Sequence, residues 1–258
     1  MVVRVALVTG AGSGIGRATA IALARRQYVV GVLGRTEEEI DETCSRINED
    51  GGSAIALLAD VSDQSSMQRA IASLIDETGR LDAVVANAGI NGVWAPIDDL
   101  SLDEWNQTIL VNLTGTFLTL SSCVPHLKSS GGGSIVVISS INGTRTFTTP
   151  GATAYSATKA GQVAMVKQLS LELARHKIRI NAVCPGEIET SIEANTRIRH
   201  AEETAIPVEW PAGQVPITHG KPGQAADVAA VVEFLLSDDA RHITGSPIWV
   251  DGGQGLLR

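Results

Sequence analysis

Cysteine is scarce: Cys44, Cys123 and Cys184 are the three thiols in 258 residues. They are odd in number and far apart, which argues against a disulfide framework or a cysteine-built zinc site and leaves reduced core or surface thiols. The five histidines show no ligand spacing, so no catalytic metal is expected. Basic residues form no block, and the formal net charge is −8. Nucleic acid and anionic membrane surfaces are therefore not the expected partners. No apolar run approaches membrane-spanning length, and the opening "MVVRVALVTGAG" is broken by glycine too soon for a signal peptide or an anchor. There is also no Pro/Ser-rich linker and no repeat of solenoid length. The expectation is one cytoplasmic domain over residues 1–258, near the upper end of what a single core serves.

Apolar residues make up 44% of the chain and charged ones 19%, which excludes disorder, and the 26 glycines imply many tight turns. Short β-branched runs alternate with segments of helical periodicity. "VRVALVTG" leads into "IGRATAIALARRQ", "VVGVL" into a helix opened by Thr36 and Glu39, and "SAIALLAD" into "SDQSSMQRAIASLIDETG". "LDAVVANAG" precedes a helix opened by Ser101 and Glu104; both openings fit a capping box. "GSIVVISS", "KIRINAVCPG" and "SPIWVDGG" complete about seven strands. The pattern predicts an α/β fold, a Rossmann-type doubly wound parallel sheet buried on both faces by crossover helices. Residues 191–223 contain four prolines and mixed charge and resist assignment; a loop this long is expected to be a lid over the site.

Ligands of such a sheet bind at the carboxyl ends of the strands. At the first, "TGAGSGIG" places Gly10, Gly14 and Gly16 between strand and helix, where glycine lets the backbone approach a diphosphate and the helix N-terminus supplies free N–H groups. The second strand ends in Gly34 and Arg35, where an acidic residue would take the ribose hydroxyls of NAD; a guanidinium suits a 2′-phosphate, which favours NADP. Asp60-Val61 and Asn87-Ala88-Gly89 end the third and fourth strands and fit either turn chemistry or a ring-binding edge. The fifth ends in Ser139-Ser140. Tyr155 and Lys159 follow at helical spacing i, i+4, so they share a face one turn apart. Asn112 lies inside an apolar helix, where a satisfied structural amide is the ordinary outcome.

Taken in order, these motifs resemble the short-chain dehydrogenase/reductase family along nearly the whole chain: TGxxxGxG at 9–16, Asp60, NAG at 87–89, Asn112, Ser140, YxxxK at 155–159 and "PGEIET" at 185–190. The resemblance implies an NAD(P)-dependent oxidoreductase interconverting a ketone and a secondary alcohol. Tyr155 would be the general acid/base, Lys159 its electrostatic control, Ser140 a donor to the substrate oxygen, and Asn112 the holder of a relay water. It implies a cofactor held by Gly10, Ser13, Gly14, Ile15 and Gly16, by Arg35, Asp60 and Val61, and by Asn87, Ala88 and Gly89. Pro185, Gly186, Ile188 and Thr190, with Tyr155 and Lys159, would hold the nicotinamide end. NADP(H) is favoured and NAD(H) possible; Ser13 stands where many NADP-using relatives carry a basic residue, so the preference rests on Arg35.

Trp94, Asn142, Phe147 and Glu187 are candidate pocket residues. A buried carboxylate needs a partner, so Glu187 is expected in solvent, or else to favour a hydroxylated substrate. "INGTRTFTTPGATA", between Ser140 and Tyr155, is about two residues longer than the family pattern, with the extra length at "TFTTP" in a loop expected to line the pocket. A 3-oxoacyl thioester on an acyl-carrier protein is an alternative substrate, with Lys128, Arg175 and Lys177 as a thin basic docking set. A non-catalytic NADP(H)-binding regulator is the alternative from another class. The resemblance also implies a homotetramer or dimer, and the small residues Ala157, Ala160, Gly161 and Ala164 suit close helix packing.

Overall fold

The computed structural model describes residues 3–190, 196–206 and 215–257. Seven strands form its main sheet: β1 (Arg4–Thr9), β2 (Tyr28–Gly34), β3 (Ser53–Leu58), β4 (Ala83–Ala86), β5 (Gly133–Ile138), β6 (Ile178–Pro185) and β7 (Pro247–Val250). Their spatial order is β3-β2-β1-β4-β5-β6-β7, and every pairing is parallel. Parallel neighbours need crossovers, supplied here by α1 (Gly14–Arg25), α2 (Glu37–Glu49), α3 (Gln64–Thr78), α4 (Leu102–Ile109), α5 (Gly115–Ser129), α6 (Thr153–Ala174) and α7 (Ala225–Leu236). Winding reverses between β1 and β4, and the switch opens a crevice at the carboxyl ends of the strands.

Alternation along each strand sends side chains to two cores. Val5 and Leu7 of β1 join Leu57, Leu74, Val84 and Ile135 on one side of the sheet. Ala6 and Val8 join Val30, Val32, Val85 and Val136 on the other. Burial on both faces explains why these strands read as continuous apolar runs.

Local signals set most helix ends. Asp63 accepts from the Ser66 amide at 2.7 Å at the start of α3, and Gly79, at φ +73°, closes that helix. Ser101 and Glu104 form the expected capping box on α4. The box expected at α2 does not form. Thr36 makes no side-chain cap bond, and the Glu39 carboxylate lies against the Gly12 backbone instead.

α4, a π-helical turn at Leu110–Thr114 and α5 run as one helix. Leu102–Ser129 is long enough to cross a membrane, and its most apolar 18-residue window has a mean hydropathy of 1.3, which corrects the expectation that no segment reaches that length. Half of that window is buried inside the fold, packed partly on α3 and α6, as a core helix would be.

Two short parallel pairings organise the loops above the crevice. Val93–Trp94 pairs with Arg197–Ile198, and Ile188–Glu189 with Gly223–Gln224. Arg199 fixes the first to the start of α4 through Asp99, at 2.8 Å, and Glu104. Of the segment expected to form a lid, 191–195 and 207–214 lie outside the described residues.

Candidate active site

The glycine turn is shaped by close backbone approach. Gly10 and Gly14 have φ of +62° and +51°. A Cβ on Gly16 would collide with the Gly10 carbonyl, and one on Gly10 would stand 2.9 Å from Ala88 Cα. Thr9 and Asn87 lace β1 to β4: the Thr9 hydroxyl accepts from the Asn87 and Ala88 amides at 3.0 and 3.1 Å, and Asn87 Nδ2 donates to the Thr9 carbonyl at 2.9 Å. No side chain caps the N-terminus of α1, and no acidic residue occupies its first turn. Backbone N–H groups and the positive end of the helix dipole thus remain open at a turn where Gly10, Gly12, Gly14 and Gly16 carry no Cβ, a donor set that fits a dinucleotide diphosphate.

Asp60 and Arg35 flank this turn. Asp60 Oδ1 accepts from the Ser62 amide and hydroxyl at 2.8 and 2.6 Å, so at least that oxygen serves the turn itself. Val61 packs on Gly115 of α5. Arg35 is exposed and makes no hydrogen bond or ion pair among the described residues.

The hydroxyl-bearing groups converge where β5 ends and α6 begins. Ser139 and Ser140 separate in role: Ser139 Oγ donates to the Lys159 carbonyl at 2.8 Å, whereas Ser140 Oγ accepts from the Asn142 amide at 3.1 Å and lines the cavity with Tyr155. Lys159 is 4% exposed, and its ammonium donates to the Ile138 carbonyl at 2.9 Å. Burial brings its pKa down to about 8, against a smaller upward pull from Cys184. Burial raises the Tyr155 phenol, with Ser140 opposing. In the protein alone, desolvation therefore outweighs the lowering expected from Lys159.

Asn112 sits in the π-helical turn and is fully buried. Its Oδ1 accepts from the Ile90 amide at 2.8 Å, and its Nδ2 donates to the Ile90 carbonyl at 2.9 Å and to Thr158 Oγ1 at 3.2 Å. Its own backbone carbonyl accepts from Thr116 Oγ1 at 2.7 Å and Gln162 Nε2 at 3.0 Å. It brackets the loop that follows β4 and ties it to α6.

A cavity of about 500 Å³ opens at this point. Of the expected cofactor residues, Ile15, Asn87, Gly89, Pro185, Gly186, Ile188 and Thr190 line it with Ser140, Tyr155 and Lys159. Gly10, Ser13, Gly14, Gly16, Arg35, Asp60, Val61 and Ala88 are outside its lining; Thr190 nevertheless packs on Gly14, its carbons 3.3 Å from where a Cβ would be.

Trp94 forms a wall, its ring 6.5 Å from that of Tyr155 and its Nε1 donating to the Asn91 carbonyl at 3.1 Å. Asn142 lines the cavity, and Glu187 does so too, against the expectation of solvent, because its amide donates to Gln254 Oε1 at 2.7 Å and draws the turn inward. Phe147 is 62% exposed and outside the lining; Thr149 is what the longer "TFTTP" loop contributes. Asn91, Thr149, Thr196, Ile198 and Gln254 escaped sequence reasoning, since isolated loop residues have no periodicity to mark them. Cys44, Cys123 and Cys184 are all free and buried.

The sequence model of the short chain dehydrogenase family matches residues 4–201. Glucose 1-dehydrogenase 2 of Bacillus subtilis is 33% identical over 256 residues, covering 98% of this chain and 95% of that protein. A crystal structure described as a 3-ketoacyl-ACP reductase from Sinorhizobium meliloti 1021 is 66% identical, with a TM-score of 0.95, over 98% of this chain and 100% of that one. A Brucella melitensis 3-ketoacyl-(acyl-carrier-protein) reductase complexed with NADH is 28% identical, with a TM-score of 0.85, over 98% of each chain.

Proposed function

The chain belongs to the short-chain dehydrogenase family, an oxidoreductase acting on CH–OH groups with NAD(P), and from that premise we propose that Tyr155, Ser140 and Lys159 interconvert a ketone and a secondary alcohol in the cavity. The observation that carries the assignment is the meeting of these three side chains at one end of the sheet, beside a glycine turn that fits a diphosphate. A nicotinamide held beside Pro185, Gly186, Ile188 and Thr190 would supply or accept the hydride. Tyr155 holds the proton at its phenol oxygen and gives it to the developing alkoxide during reduction. Ser140 donates to the same substrate oxygen, as an oxyanion donor does. Lys159, 5.5 Å from the Tyr155 ring centre, favours the phenolate by charge. Asn112 positions this machinery by bracketing Ile90; with its carbonyl lone pairs already taken by Thr116 and Gln162, a relay water would have to find another acceptor.

NADP(H) is the preferred dinucleotide in this proposal, through Arg35, with NAD(H) accepted. A neutral, polar carbonyl compound suits a cavity lined by Asn91, Asn142, Thr149 and Gln254 against Trp94. A 3-oxoacyl thioester is the second candidate, favoured by the 66% identical Sinorhizobium structure. Lys128, Arg175 and Lys177 lie just before β5 and β6, at the amino ends of the strands and so away from the cavity of their own chain. An acyl-carrier protein would need a partner subunit to bring them into use. The exposed Leu110, Phe117 and Leu171, together with the exposed Ala157, Ala160 and Ala164, suit a homotetramer or dimer built on α5 and α6. We place the assembly in the cytoplasm as one domain, with residues 191–223 as its substrate lid.

Tyr155→Phe tests the assignment. Turnover should fall at least about a thousandfold while NADPH binding persists. Undiminished turnover would sink the assignment, and a wild-type protein that binds NADPH without acting on any of a broad panel of ketones and alcohols would point to a regulator.

A further inference from the structure

Asn87, Asn91, Asn142 and Gln254 put amide side chains on the cavity wall. Asn87 spends its Nδ2 on the Thr9 and Gly10 carbonyls, at 2.9 and 3.2 Å. Asn91 Nδ2 donates to Thr196 Oγ1 at 2.7 Å, and Asn142 Oδ1 accepts from Thr149 Oγ1 at 3.1 Å. A hydroxyl both donates and accepts, so neither of those two partners fixes which end of the amide it meets. Gln254 differs. Its partner is the Glu187 backbone N–H, at 2.7 Å, which can only donate. The atom it meets is the oxygen, and Nε2 keeps both of its protons. Nε2 makes no hydrogen bond among the described residues and is not buried.

Gln254 is held in that attitude by the turn that carries it. The two oxygens of the Asp251 carboxylate accept from the Gly253 and Gly255 amides at 3.1 Å each, and the Asp251 carbonyl accepts from the Gln254 amide at 2.8 Å. Asp251 is buried, and its countercharge is Arg145, whose Nη1 lies 3.7 Å from Oδ2. The Arg145 guanidinium sits 3.8 Å from the centre of the Trp249 ring, and Trp249 Nε1 donates to Thr144 Oγ1 at 3.0 Å. The turn that carries Gln254 is thereby fastened to the segment that follows Ser140. Gly186 leaves room for the side chain, since a Cβ there would stand 2.6 Å from Gln254 Oε1 and 2.9 Å from Asp251 Cα.

We propose that Gln254 is a specificity determinant of the cavity: its Nε2 donates to an accepting oxygen of the substrate other than the one being reduced, so the preferred substrates are ketones that carry a second accepting oxygen, as a diketone or a keto ester does. Arg145 is a positioning residue that acts on the substrate through Asp251 and Gln254. This rests on the carbonyl reaction proposed above. A plain ketone leaves the Nε2 protons unpaired when it displaces water from the cavity, and that loss falls on discrimination between substrates rather than on the proton transfer.

The experiment is steady-state kinetics on two matched pairs, cyclohexane-1,4-dione against cyclohexanone and ethyl 3-oxobutanoate against 2-heptanone, with wild type, Gln254→Leu, Gln254→Glu, Arg145→Met and the double variant Arg145→Met/Gln254→Leu. The quantity read is the ratio of kcat/KM within a pair, from which the intrinsic reactivity of each ketone cancels when variant and wild type are compared. Gln254→Leu should lower the preference for the second oxygen about tenfold in at least one pair, and the pair that responds tells a diketone from a keto ester. Gln254→Glu keeps an oxygen facing the Glu187 amide and replaces the donor by a second oxygen, so it should lower the preference at least as far. Arg145→Met should lower it about threefold, and the double variant no further than Gln254→Leu alone, which a general loosening of the fold would not produce. Ratios unmoved by both Gln254 variants, with all four compounds still turned over, overturn the inference and leave the proposed reaction standing. Additive losses in the double variant overturn the role given to Arg145. A wild type that turns over none of the four removes the reaction proposed for the cavity and the inference with it.

Discussion

The Lys159 ammonium stands 5.5 Å from the centre of the Tyr155 ring while giving a hydrogen bond to the Ile138 carbonyl at 2.9 Å. It is close enough to bias the phenol by charge and is held by backbone rather than by the phenol itself. With its pKa brought down to about 8 by burial, it remains largely charged at neutral pH and loses that charge over the next two pH units.

Stability should record this burial. A lysine whose folded pKa lies below its unfolded value of about 10.4 binds fewer protons folded than unfolded between the two, so stability rises with pH from about 8 to about 10. The gain is at most about 3 kcal/mol. Above that window the buried Tyr155 phenol, raised by desolvation, pulls the other way, because the unfolded chain ionises first. Urea unfolding of wild type and Lys159→Met at several pH values would isolate the contribution: the wild type should gain stability over the window relative to the variant. Parallel pH curves would show that Lys159 titrates as it does in water.

The two adjacent serines should separate cleanly. Ser140→Ala removes the donor beside Tyr155 and should lower kcat about a hundredfold with little effect on the melting temperature. Ser139→Ala leaves the Lys159 carbonyl without that partner and should cost about 1 kcal/mol of stability, with a much smaller kinetic effect. The reverse pattern in kcat would assign the oxyanion role to Ser139.

The sheet, its glycine turn and the Tyr155–Lys159 pair were legible because each depends on local rules: β-branched runs, glycine between strand and helix, and a four-residue helical repeat. Alternation cannot choose between Ser139 and Ser140, and Ser140 comes from its place in the family motif. Where sequence reasoning failed, a contact made elsewhere in the fold had overridden a local rule. Thr36 and Glu39 read as a capping box, but the Glu39 carboxyl lies against Gly12 instead. Glu187 is a pocket candidate that the sequence leaves open between cavity and solvent, because the bond that its amide gives to Gln254, 67 residues later, has no local signal. Phe147 read as a wall because aromatic residues usually bury; the longer loop carries it outward and turns Thr149 in.

Two buried amides in contact should differ in what their loss costs. Asn112→Leu keeps the volume but strips the Ile90 amide and carbonyl of their partner, and should cost about 3 kcal/mol. Gln162→Met removes two donated bonds, yet the Asn112 carbonyl keeps Thr116, and Gln162 Oε1 has no partner to lose. That change should stay within about 1 kcal/mol of wild type. Chemical denaturation of both variants checks the contrast, and a Gln162→Met loss as large as that of Asn112→Leu would contradict it.

Gly143 and Gly79 are glycines for different reasons, and substitution should tell them apart. Gly79 closes α3 at φ +73° with nothing within 4 Å of its missing Cβ, so Gly79→Ala meets backbone strain alone and should cost about 1 kcal/mol without touching catalysis. Gly143 lies in the short turn after Ser140, where a Cβ would collide with the Ala160 amide and stand 2.5 Å from the Lys159 carbonyl carbon. Those are backbone atoms in the middle of α6 and cannot swing aside. The turn must lift from the helix and carry Ser140 away from Tyr155. Gly143→Ala should therefore cost about 3 kcal/mol and lower kcat by at least about tenfold in the molecules that remain folded. Measuring kcat per folded molecule, from active-site titration alongside a melting curve, separates the two losses; a Gly143→Ala protein with wild-type kcat would mean that Ser140 keeps its place when the turn moves.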